Sequence, residues 1–134
     1  MSEPIILYGL PHSLYSGRAR SYVRKQGIVY REVAPSDPRF ASVIVPQIGR
    51  AIIPVIELPD GTVVQDTVDI IDHFEALGQR YPAYPSSAVL RTLAHLFELY
   101  AVFGLTRHAM HYRWSYLSEQ ERFLRDQFGV GGNS

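Results

Sequence analysis

Ile52-Ile53-Pro54-Val55-Ile56-Glu57-Leu58-Pro59-Asp60-Gly61-Thr62-Val63-Val64-Gln65-Asp66-Thr67-Val68-Asp69-Ile70-Ile71 reads as a loop, a proline, a strand, a tight turn, a strand and a helix opened by Asp-Thr. A proline directly before an apolar strand is unusual, because proline cannot donate to a sheet ladder. Its natural place is the strand entry, where a cis Ile53–Pro54 bond turns the backbone of Ile53 outward. That peptide can then pair with an extended ligand as a further strand would. A few residues on, Asp66-Thr67 puts two small polar side chains at a helix N-terminus, a site suited to a carboxylate. Only a hairpin separates the two sites. Together they imply a pocket for a small, peptide-like, anionic ligand.

Working outward, the 134 residues suffice for one ordinary domain with a core and are few for two. Apolar residues make up 46%, charged residues 19%, and the formal net charge is zero, so charge gives no reason to expect nucleic acid or an anionic membrane as partner. No stretch approaches the roughly 18 apolar residues of a membrane span. Met1-Ser2-Glu3-Pro4 lacks the basic start and apolar run of a secretory signal. Cysteine is absent, which excludes disulfides, a thiolate metal site and disulfide exchange by the protein's own thiols. The expected location is cytoplasmic.

Ile5 to Tyr8, stopped by Gly9 and Pro11, predicts a buried strand, and a helix follows over about Gly17 to Gln26. Ala19, Tyr22, Val23 and Ile28 supply its inner side, with Gly27 at the C-terminal cap. Val29 to Val33 predicts a second strand, and Arg39 to Ile48 a weakly helical stretch. Val55 to Leu58 and Thr62 to Val64 form a hairpin around Asp60-Gly61, and a helix runs from Thr67 to Leu77. Val68, Ile70, Ile71, Phe74 and Leu77 mark its apolar side. The order is β-α-β-(α)-β-β-α, an α/β unit with a mixed four-stranded sheet. Residues 81–85 read as a linker. From Ser86 to Tyr116 the pattern is helical, with Leu90, Leu93, Ala94, Phe97, Tyr100, Ala101 and Leu105 on one face. A short helix over Ser118 to Phe128 opens with what resembles a capping box, and the last six residues read as disordered.

Three stretches in order and in register resemble the glutathione transferases: Tyr8-Gly9-Leu10-Pro11-His12-Ser13-Leu14-Tyr15-Ser16-Gly17-Arg18-Ala19-Arg20, Ile53-Pro54-Val55, and Asp60-Gly61 through Asp66-Thr67-Val68-Asp69-Ile70. The resemblance implies a thioredoxin-like domain over residues 1–80 that binds glutathione as co-substrate, and a helical domain from residue 86. It also implies transferase activity toward a small electrophile, and it allows a homodimer. Only 49 residues follow Pro85, fewer than the family's helical domain holds, so the expectation is a fragment or a shortened relative. The alternative is a non-catalytic, transferase-like module for binding or assembly.

By that resemblance Ser13 stabilises the glutathione thiolate. A free thiol has a pKa near 8.5, and each unit of lowering needs about 1.4 kcal/mol. A serine hydroxyl and the adjacent helix N-terminus together supply roughly two units. Ser16 is expected to cap that helix and Tyr8 to be core. Ile53, set by Pro54, pairs with the cysteinyl segment. Asp66 and Thr67 hold the γ-glutamyl end, mainly through the Thr67 hydroxyl and helix N–H groups, with Gln65 as helper; either residue is also suited to plain N-capping. Arg50 meets the glycyl carboxylate or is a solvated loop charge. Arg18 and Arg20, read as lying in the first turn of the helix, call for a neighbouring carboxylate. His108 and His111 have a spacing that permits a metal pair, but with no third ligand in view an aromatic helix face is favoured. His12 beside Ser13 lacks the orienting acid of a hydrolase.

Overall fold

In a computed structural model, which describes residues 3–129, the chain divides after Ala83 into two units. The first runs β1 (Ile5–Tyr8), α1 (Leu14–Gln26), β2 (Tyr30–Val33), a π-helical turn over Phe40–Ile44 leading into α2 (Val45–Ile48), β3 (Val55–Glu57), β4 (Val63–Gln65) and α3 (Thr67–Ala76). The strands form one mixed sheet in the order β2-β1-β3-β4, with β1 parallel to β2 and antiparallel to β3. This is the thioredoxin-like arrangement.

The pleat of β1 sorts its side chains between two cores. Tyr8 points with Ile6 toward the π-helical turn, where Phe40, Ile44 and Val55 are buried with it. The rings of Tyr8 and Phe40 lie 5.3 Å apart. Leu7 and Ile56, cross-strand partners with no exposed surface, take the opposite face. Buried Ala19, Tyr22 and Val23 of α1 and Ile70, Ile71 and Phe74 of α3 supply the second core. The Tyr22 hydroxyl donates to Glu75 at 2.5 Å, joining the two helices. The hairpin closes through Asp60-Gly61: Gly61 adopts φ +85°, and Asp60 Oδ1 accepts from the Thr62 N–H at 2.8 Å.

Several boundaries differ from expectation for local reasons. α1 begins at Leu14, a turn earlier than read, because Ser13 and not Ser16 is its cap. Arg18 and Arg20 therefore lie beyond the first turn. Leu77 ends α3 as its cap and is two-thirds exposed, so it does not join the apolar side.

In the second unit, α4 (Ala88–Leu99), a π-helical segment Tyr100–Leu105 and α5 (Thr106–Trp114) form one helix of 27 residues, followed by α6 (Leu117–Phe128). A Cβ on Gly104 would come within 2.9 Å of the Tyr100 ring, which accounts for a glycine inside the helix. The residues read as the apolar face of this helix are largely exposed, Phe97 to 72%. Its most apolar 18-residue window has a mean hydropathy of 1.4, so by length and composition it is able to cross a membrane, contrary to the sequence reading. A core helix covered by protein passes the same test. The capping box at Ser118 does not form: Tyr116 is the cap, and Ser118 falls inside the first turn. Of the six-residue tail, Gly129 caps α6 with φ +62° and the remainder lies outside the described residues.

A buried acid, Glu57, ties the first unit together. It accepts from the Tyr8 hydroxyl at 3.0 Å and pairs with both Arg39 Nη2 and, at 3.2 Å, Arg39 Nε. Arg39 precedes the π-helical turn, so the bridge fastens that turn to β3. The hydrogen bonds from Arg39 hold the Glu57 carboxyl below its ordinary value of 4.5. A carboxyl with a lowered folded pKa contributes stability that is fully present above its unfolded pKa and is lost as pH falls through the folded one. Glu57→Gln is expected to cost about 1–2 kcal/mol at pH 7 in urea unfolding, and to flatten the decline in stability below pH 4.5. An unchanged acid slope in the variant would assign that decline to other carboxyls.

Candidate functional site

The sheet register gathers the candidate residues. Tyr8 is level with Val55, and Val55 with Gln65. The end of β1, the start of β3 and the end of β4 therefore share one edge, spanning about 10 Å across three strands spaced roughly 4.8 Å apart. From the first end leaves the loop to Ser13. Into the second comes Ile53-Pro54, and out of the third goes Gln65-Asp66-Thr67. Printed side by side by the fold, these three segments are also bonded to one another. The Asp66 N–H donates to the Pro54 carbonyl at 3.3 Å, and the Thr67 hydroxyl donates to the Tyr15 carbonyl at 3.2 Å. Arg50 Nε donates to Gln65 Oε1 at 3.3 Å.

Ser13 is half-buried, and its Oγ accepts from the Ser16 N–H at 3.2 Å as the cap of α1. Its extended backbone, φ −78° and ψ 124°, is that of a standard N-cap. Capping uses a lone pair and leaves the hydroxyl proton free to donate. The cap expected at Ser16 is therefore Ser13. Ser16 is fully buried, and its Oγ accepts from the Leu10 N–H at 3.3 Å. No acidic side chain occupies the first turn of α1, so the field there is set by the helix N–H groups.

The Ile53–Pro54 bond is cis, and Pro54 is buried. Among the described residues, neither the N–H nor the C=O of Ile53 is hydrogen-bonded to the chain. An extended peptide laid alongside would find both.

Asp66 is exposed and caps α3, its Oδ1 accepting from the Val68 N–H at 2.9 Å. The hydroxyl half of the role expected of Thr67 is not met: the residue is 1% exposed, and its hydroxyl is spent on Tyr15. What Thr67 can offer outward is its backbone N–H, which has no acceptor within the helix. Arg50 is exposed, as a solvated loop charge is, and its Nε donates to Gln65 and not to a carboxylate.

The remaining candidates resolve structurally. The Tyr8 hydroxyl donates to buried Glu57 at 3.0 Å, and its pKa is pushed up to about 12, first by burial and then by that bond. Arg20 meets its expected carboxylate in Glu32, Nε to Oε2 at 2.7 Å. His108 Nδ1 lies 3.2 Å from the Gly104 carbonyl, and His111 Nδ1 lies 2.9 Å from Ser115 Oγ with Tyr112 and Tyr116 packed against its ring. The reading missed Glu57, Arg39 and Glu32. The signal for Glu57 was an acid closing the apolar run Val55-Ile56, which on burial demands a base.

Asp66 has φ 76° and ψ 144°, a conformation costly for any side chain, on the order of 1–3 kcal/mol. It is the one residue between β4 and α3, and its N–H donates to the Pro54 carbonyl at 3.3 Å. Asp66→Ala should lose the cap, keep the strain and be about 1 kcal/mol less stable. Asp66→Gly should be at least as stable as the parent, because relief of strain offsets the lost cap. Urea unfolding of both variants decides, and equal destabilisation would refute strain at this residue.

No curated protein sequence matches this chain. Among solved structures, the chain superposes on a glutathione S-transferase from Xanthobacter autotrophicus Py2 with a TM-score of 0.64 and 20% identity, covering 94% of this chain and 57% of that one. A glutathione transferase from Phanerochaete chrysosporium gives 0.59 and 22%, covering 75% and 48%. A glutathione transferase homologue from Sulfitobacter, solved with bound glutathione, gives 0.65 and 14%, covering 83% and 54%. The chain thus spans about half the length of these proteins. At such identities the likeness establishes the fold. The family model for the glutathione S-transferase N-terminal domain matches residues 7–83, more than half of the chain and the whole of the candidate site. The chain belongs to the glutathione S-transferase family.

Proposed function

We propose that this chain binds glutathione at the sheet edge formed by Ser13, Ile53 and Asp66, and activates its thiol for attack on a small electrophile. The observation that carries the reading is the register Tyr8–Val55–Gln65, which gives one ligand three kinds of anchor within about 10 Å. The cysteinyl segment pairs with the Ile53 backbone beside Pro54. The γ-glutamyl head meets α3, its carboxylate on the Thr67 N–H and its ammonium on the Asp66 carboxylate. Gln65 and Arg50, already bonded, sit beside that head. The sulfur lies against Ser13, whose hydroxyl proton and the N-terminus of α1 favour the thiolate.

The second reading is a transferase-like module that binds or assembles without turnover. What favours it is the exposed stripe Leu90, Leu93, Phe97, Tyr100 and Phe103 in the second unit, an apolar surface of the kind that serves as a contact.

Titration calorimetry with glutathione, paired with a pH titration of the bound thiol by ultraviolet absorbance, separates the two. The expected result is saturable binding tighter than about 1 mM, roughly −4 kcal/mol, with a bound-thiol pKa below that of free glutathione. Ser13→Ala should keep the affinity within about twofold and raise the bound-thiol pKa by about one unit, roughly 1.4 kcal/mol. Ser13→Thr, which keeps hydroxyl and cap, should restore it. No heat at about 10 mM glutathione, a concentration that would reveal binding weaker than −3 kcal/mol, sinks the reading.

A further inference from the structure

We infer that Arg20 is a positioning residue for Ser13, acting through the Leu10 peptide; the inference rests on the reading of Ser13 given above. Both polar groups of the Leu10 backbone are held from α1. Its N–H donates to Ser16 Oγ at 3.3 Å, and its carbonyl accepts from Arg20 Nη2 at 3.1 Å. The same carbonyl accepts from the Ser13 N–H, also at 3.1 Å. Ser13 Oγ in turn accepts from the Ser16 N–H. Leu10, Ser13 and Ser16 therefore close a ring of hydrogen bonds at the start of α1, and Arg20 is the side chain that fastens this ring to the sheet.

The fastening is a two-point one. Arg20 Nε and Nη2 meet Glu32 Oε2 and Oε1 at 2.7 and 2.5 Å, and Glu32 lies on β2. The side chains of the pair are only 16% and 25% exposed, so water competes weakly for them. Gly9 lets the ring sit this close to β2. A Cβ there would stand 3.0 Å from the Ser16 side chain and 3.2 Å from Glu32 Oε1. The guanidinium fork matters because it spends two donors on the carboxylate and still reaches the Leu10 carbonyl. An ammonium cannot hold that geometry. Without Arg20, the loop keeps its backbone bonds, the Gly9 N–H to the Val33 carbonyl at 3.0 Å among them, but loses its side-chain fastening to β2, and the Ser13 hydroxyl no longer holds one direction.

Amide hydrogen exchange on the ligand-free chain tests the clamp independently of glutathione. In Arg20→Lys, and separately in Glu32→Gln, the amides of Leu10, Ser13 and Ser16 are expected to exchange at least about tenfold faster, about 1.4 kcal/mol in opening, while those of Val23 and Ile56 stay unchanged. Exchange rising equally at all five, or at none, overturns the inference. With glutathione bound, Arg20→Lys should raise the thiol pKa with an unchanged dissociation constant, and should add nothing further in a Ser13→Ala background. Additive shifts overturn it too. Failure of the parent chain to bind glutathione would strike at the reading of the site instead, and the exchange comparison would still decide the clamp.

Discussion

The position of β3 between β1 and β4 is the constraint from which the rest of the first unit follows. Val55 and Ile56 have no exposed surface, and each faces a different core. A one-residue slip of this strand would exchange those faces and carry Glu57 out of reach of Tyr8 and Arg39. Register is therefore fixed by packing on both sides and by a buried acid. Because Pro54 and Gln65 are tied to the same register, the geometry of the candidate pocket is inherited from the core. The site needs no separate scaffold.

Much of this was legible in the chain. The breaks at Gly9, Pro54, Asp60-Gly61 and Gly78 separate elements whose patterns differ in period, and the alternation or continuity of apolar residues assigns each one. What escaped were facts decided by atoms far apart in sequence. Whether Ser13 or Ser16 caps α1 depends on where Leu10 folds back, which the local pattern does not record. The inward turn of Thr67 depends on the Tyr15 carbonyl, 52 positions away. Likewise the burial of Glu57 makes sense only once Arg39 is brought to it. Local signals specify elements, whereas long-range partners decide what a polar side chain is free to do.

The polar groups of the first unit fall into two functional kinds. Glu57, Glu32, Arg20 and the Thr67 hydroxyl are satisfied within the protein and hold segments in place. The Ile53 peptide, the Thr67 N–H and the Ser13 hydroxyl proton are left unspent at the proposed glutathione site by the geometry of their own elements. Affinity for a small peptide is gained chiefly by such preorganised, unspent groups, since little ordering remains to be done on binding.

The π-helical segment Tyr100–Leu105 has a further consequence for the long helix of the second unit. A wider turn inserts about one residue relative to regular α-helical winding, so side chains beyond it are rotated by roughly 100° from the line they would otherwise continue. Leu90, Leu93 and Phe97 before the segment and Tyr112 beyond it are all exposed, yet they do not lie along one straight seam. A straight helix laid against the first half would diverge from the second. The apolar side chains of the 27-residue helix before and beyond the segment therefore point in different directions about its axis.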